Sequence, residues 1–121
     1  MENLEGLWTV SFQSNFQTFG TGVGVFIRDR ILGGDSFYYY DGNVKISQPS
    51  TLAGALGGGK AEATIKVVRF NKAGVAIFGN LDSFTLKVAG DFSTSSMELH
   101  GNMAEQPNMK ITIKGQKITS I

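Results

Sequence analysis

The chain contains no cysteine, which removes disulfide frameworks, thiol nucleophiles and zinc–thiolate sites and suits a reducing compartment; cytoplasm is the expected location. No apolar run approaches the ~18 residues that a membrane helix needs, and MENLEGLWTV at the N-terminus has neither a basic leader nor a long apolar stretch. Neither export nor membrane spanning is expected. Charge of one sign is also missing: 11 Lys and Arg face 10 Asp and Glu, for a formal net charge of +1. The two signs are interspersed along the chain, which argues against a nucleic-acid surface. Histidine occurs once and proline twice.

What is plentiful is glycine, 16 of 121 residues, nearly twice the usual share of about 7 %. With so little proline, this composition is positional and not low-complexity. The length fits one domain, residues 1–121. The loosest stretch is QPSTLAGALGGG at 48–59, read as a mobile loop.

Segment after segment alternates apolar and polar residues with period two, and no long segment has helical period. In KAEATIKVVRF, Ala61, Ala63, Ile65 and Val67 share one face against Lys60, Glu62, Thr64 and Lys66. FTLKVAGDF places Phe84, Leu86, Val88 and Phe92 inward, MELHGNM places Met97, Leu99 and Met103, and MKITIKG places Met109, Ile111 and Ile113. Near the start, GLWTVSF gives Trp8, Val10 and Phe12, while TGVGVFIR is read with Val23, Val25 and Ile27 inward and Gly22, Gly24 and Phe26 outward. Asp29, Asp41–Gly42 and Asn71–Gly74 serve as turn signals for an antiparallel meander. The reading of 71–81 leaves open a short helix or a strand. A meander of about eight strands must hide its edges, and strand glycines such as Gly22, Gly33, Gly90 and Gly101 favour closure into a barrel. The expected fold is therefore all-β, a single antiparallel lipocalin-like barrel. Its interior, or a ligand cavity within it, is assigned to Trp8, Val10, Phe12, Ile65, Val67, Phe84, Leu86, Leu99, Ile111 and Ile113.

The stretch ILGGDSFYYYDG at 31–42 carries the strongest local signal. On a strand, Tyr38 and Tyr40 face one side and Phe37 and Tyr39 the other, so some aromatic surface is left over. Packing against a neighbouring loop is one reading. The other is an interface, for which Phe26, Phe37 and Tyr39 are the candidates, with a homodimer expected. Gly33, Gly34 and Asp35 lack the lysine, the hydroxyl and the following helix of a phosphate loop; a bend with Asp35 capping backbone amides is the better reading. His100 falls on a polar face without metal-binding company, and Asp29, Asp35, Asp41, Asp82 and Asp91 read as turn or strand-end residues. No catalytic, metal or cofactor site is expected.

Gly6, Leu7 and Trp8 form a G-x-W at the start of the first strand, which resembles the lipocalin motif. That likeness implies a Trp plugging one barrel end under a cation from the last strand, Lys114 or Lys117. A core Trp after a turn glycine is the plain alternative. GLWTVSFQSN at 6–15, G-x-G at 20–22, LGGDSFYYYDG at 32–42 and FTLKVAG at 84–90 together resemble the small proteobacterial family of GrlR-like negative regulators of type III secretion. The resemblance implies a lipocalin-like, usually dimeric barrel that binds no DNA and has no enzymatic activity, and that represses by sequestering a transcriptional activator. One departure is plain: the family's acidic contact run is replaced here by NVKISQPSTLAG at 43–54, which has no acid. A partner protein would then be held by apolar and tyrosine contacts. The alternative function is a calycin-type binder of a small lipophilic ligand.

Overall fold

A strand whose side chains alternate buries one face, and a row of such strands leaves no raw edge only when the last pairs with the first. The computed structural model describes residues 4–15, 19–49, 59–73 and 81–121, and within them this closure is met. The strands are β1 (Gly6–Ser14), β2 (Phe19–Ile27), β3 (Arg30–Gly34), β4 (Tyr38–Pro49), β5 (Gly59–Arg69), β6 (Ser83–Phe92), β7 (Ser96–Met103) and β8 (Lys110–Ser120). Each pairs antiparallel with the next, and β1 pairs with β8 to close the barrel. No helix occurs among the described residues.

β5 to β8 keep the phase that their alternation dictates: Ala61, Ala63, Ile65 and Val67 are buried, as are Phe84, Leu86, Val88, Met97, Leu99, Ile111 and Ile113. β2 reverses its expected phase. Phe26 is 3 % exposed inside the barrel, its ring 5.6 Å from that of Trp8, whereas Val23 and Ile27 face outward. The cause is space. A Cβ at Gly22 would stand 2.6 Å from the Tyr40 hydroxyl, so the inner face of β2 takes glycine there and sets Phe26 against Trp8, and the valines are left for the outer wall. The Asp41–Gly42 turn expectation also fails, because both residues lie inside β4, paired across to Lys66 and Ile65. Asp41 instead meets Arg30 at 2.7 Å on the outer face. The true turns include Arg28–Asp29, where Arg28 takes φ 58° and its amide donates to Glu5 Oε2 at 2.6 Å. Residues 50–58 of the expected loop and 74–80 of the undecided segment lie outside the described residues.

One end of the barrel is closed by Trp8, fully buried, whose Nε1 donates to the Leu4 carbonyl at 2.8 Å. Lys117 Nζ sits 5.6 Å from the indole centroid. Lys114, the other candidate for that cation, points away to Glu98 at 3.8 Å.

At the opposite end Arg69 pairs with the exposed Asp82 at 2.5 Å, and the Asp82 carboxyl is held below the usual carboxylate range by the hydrogen bond and charge of that guanidinium. Glu105 is lowered too, because it accepts the Thr85 amide at 3.0 Å. A depressed folded-state value stabilises the fold above the unfolded value of about 4 and is lost as pH falls through the folded one. Urea midpoints should therefore drop between about pH 5 and pH 3, and Asp82→Asn should flatten that drop. An unchanged profile in Asp82→Asn would show that this pair does not contribute.

Candidate functional site

Five inward positions stand side by side across five strands: Trp8, Gly24, Gly33, Tyr40 and Val67. Between Trp8 and Tyr40 this row carries no side chain, and at Gly24 it opens onto a hollow interior. A Cβ built on Gly24 would come no nearer to another residue than 3.9 Å, at the Leu32 carbonyl. The hollow is a cavity of about 490 Å³, within the 300–1,000 Å³ of ordinary small-molecule sites. Its mouth is set by Phe19, Gly20 and Thr21 at the start of β2 and by Ser36 and Phe37 before β4.

The wall is apolar except at one corner, built by the link from β3 to β4. Asp35 Oδ1 accepts the amides of Phe37 and Tyr38, both at 2.8 Å, which is the amide cap the Gly-Gly-Asp reading anticipates. Asp35 Oδ2 accepts the Tyr40 hydroxyl at 2.5 Å. The Tyr38 hydroxyl, on the same face, donates to the Leu81 carbonyl at 2.6 Å. Burial, then the hydrogen bond to Asp35 and its charge, push the Tyr40 phenol far above its ordinary range, so it stays protonated. Phe12 meets the Tyr40 ring edge-on at 5.5 Å and holds it in place. The loop is pinned from outside as well, since the Phe70 and Asn71 amides donate to the Phe37 carbonyl at 2.9 and 3.2 Å.

Of the residues assigned to the interior from sequence, all but Trp8 line this cavity; Trp8 lies beyond it at the closed end. The three interface candidates are not brought together. Phe26 lines the cavity, Phe37 is half-buried at its mouth and packs on the core, and Tyr39 is 46 % exposed on the outer wall. Asp35, Tyr38 and Tyr40 are the polar members that sequence reasoning did not assign to the interior, although the alternation of the Tyr run already puts Tyr38 and Tyr40 on one side. His100 lies on the outer face, with Nε2 2.8 Å from Glu98 Oε2 and Nδ1 3.1 Å from Thr112 Oγ1. No cluster of three or more metal-binding side chains occurs among the described residues.

No known protein family matches this chain, and neither does any curated protein.

Proposed function

We propose that the protein is a non-enzymatic binding protein whose barrel takes up one small, mostly apolar molecule. The observation that carries this reading is the 490 Å³ apolar chamber with a single polar corner, since eight-stranded barrels are wide enough to be filled by side chains or to hold one small ligand. Here Gly20 and Gly24 of β2 line it without filling it. The corner suits recognition more than proton transfer: three donors engage the Asp35 carboxylate, and the Tyr40 phenol keeps its proton.

Uptake of the neutral fluorophore N-phenyl-1-naphthylamine tests this reading. The wild type should enhance its emission saturably. Gly24→Leu, whose side chain would enter the open space above Gly24, should weaken the probe by about tenfold or more with the urea midpoint held or raised. Absence of uptake by the wild type, or equal uptake by the folded Gly24→Leu protein, would refute it.

The outer wall favours a second reading, protein–protein contact of the kind the resemblance to GrlR-like regulators implies. Leu7, Val25 and Leu32 form one outward row across β1, β2 and β3, and Val23, Gly34, Tyr39 and Val68 form the next. Tyr39, not Phe26, is then the anchor of a homodimer or partner contact in the cytoplasm. Such binding would depend weakly on salt, because it is not built on exposed charge. Retention of a polypeptide only at low ionic strength, or unaltered by Tyr39→Ser, would refute this version.

A further inference from the structure

The polar corner of the chamber is unequal in what it offers. An ionised carboxylate has about four acceptor sites, and on Asp35 three are taken by the amides of Phe37 and Tyr38 and by the Tyr40 hydroxyl. The site left over is on Oδ2. Both phenol protons of the corner are committed, that of Tyr40 to Asp35 and that of Tyr38 to the Leu81 carbonyl. Tyr38 Oη also accepts from the Arg69 guanidinium, so the phenol oxygen left to offer at the corner is that of Tyr40. The corner is therefore a set of acceptors whose own donors are spent.

Charge points the same way. Among the described residues Asp35 is the sole charged one lining the cavity; Arg69, behind the wall, hydrogen-bonds Tyr38 but is paired with Asp82. A carboxylate or phosphate entering this chamber would meet a like charge with no cation on the chamber wall itself, in surroundings where charges interact far more strongly than in water. An ammonium or hydroxyl would instead complete the fourth acceptor site of Asp35.

We propose that the chamber selects amphiphiles whose polar end is a hydrogen-bond donor, best a primary ammonium, seated on Asp35 Oδ2 and Tyr40 Oη with an apolar chain filling the barrel. This rests on the reading of the chamber as a ligand site. The pocket is then a discriminator: it admits chains ending in an amine or an alcohol and rejects those ending in an acid. Chain and head group are recognised by separate parts of the wall, the chain by aromatic and aliphatic side chains such as Phe12, Phe84 and Leu99, and the head by the β3–β4 link.

Displacement of N-phenyl-1-naphthylamine by decylamine, decan-1-ol and decanoate at neutral pH tests this selection. Decylamine should displace best, decanol next and decanoate worst, with about tenfold or more between the amine and the acid. Asp35→Asn, which keeps an oxygen for the loop amides but removes the charge, should bring the amine down to the level of the alcohol. If the fluorophore binds and decanoate displaces it as well as decylamine does, the selection is refuted while the binding reading stands. The selection is refuted in the same way if the amine keeps its advantage in Asp35→Asn. If the wild type does not take up the fluorophore at all, both fall together. Should Asp35→Asn fail to fold, the ranking on the wild type decides alone.

Discussion

Trp8→Ala should lower folding stability by about 3 to 5 kcal/mol, the range of large-to-small changes at well-packed aromatic sites. The indole is fully buried, packs on Phe26 at 5.6 Å, donates to the Leu4 carbonyl and lies under the Lys117 ammonium. Alanine would delete the plug and leave that carbonyl without its donor. The loss is a large share of what a domain of this size possesses. Lys117→Ala, which takes the ammonium from the indole and leaves the plug in place, should cost about 1 kcal/mol or less. Urea unfolding measures both, and a Trp8→Ala loss below about 1 kcal/mol would show that Trp8 does not seal the barrel end.

Asp35→Ala should be the other costly change, about 2 to 3 kcal/mol, because one carboxylate satisfies three donors and its removal strands the buried Tyr40 hydroxyl. The half-buried position of the link keeps the figure below the sum of three charged hydrogen bonds. In a Tyr40→Phe background there is no phenol to strand, so the same substitution should cost about 1 kcal/mol less. A cost under about 0.5 kcal/mol in either background would mean that the loop holds its shape without the carboxylate.

Where one face of a strand is apolar and the other charged, the sequence was decisive. β5 shows this: Lys60, Glu62, Thr64 and Lys66 leave only one way for Ala61, Ala63, Ile65 and Val67 to point, and they are buried. β2 lacks that constraint. Its inner face is glycine but for Phe26, its outer face carries the valines and Ile27, and counting methyl groups selects the wrong phase, which is why Phe26 is expected outside and found within. The misread Asp41–Gly42 has a related cause. An Asp-Gly turn and a strand glycine that lets a neighbouring backbone approach look alike in sequence, and a Cβ on Gly42 would stand 2.6 Å from the Thr64 carbonyl oxygen. The walls of the chamber could be read from the pattern. Its emptiness could not, because period-two alternation reports direction and not volume, and the open space lies over Gly24, where a side chain would meet nothing nearer than 3.9 Å.

The closing seam has a mechanical consequence. Gly6 at the start of β1 pairs with Ser120 at the end of β8, so the chain enters and leaves that ladder at the same end of the barrel. Tension applied through the segments flanking the barrel would pull those two strands apart sideways, along their hydrogen bonds, and load one rung at a time. The seam would unzip at low force however stable the barrel is at rest. Tension between Gly6 and Lys110, at opposite ends of the same two strands, would run along them and load all the rungs together. The barrel is thus an anisotropic object, tough across its length and easily opened by its own two tails.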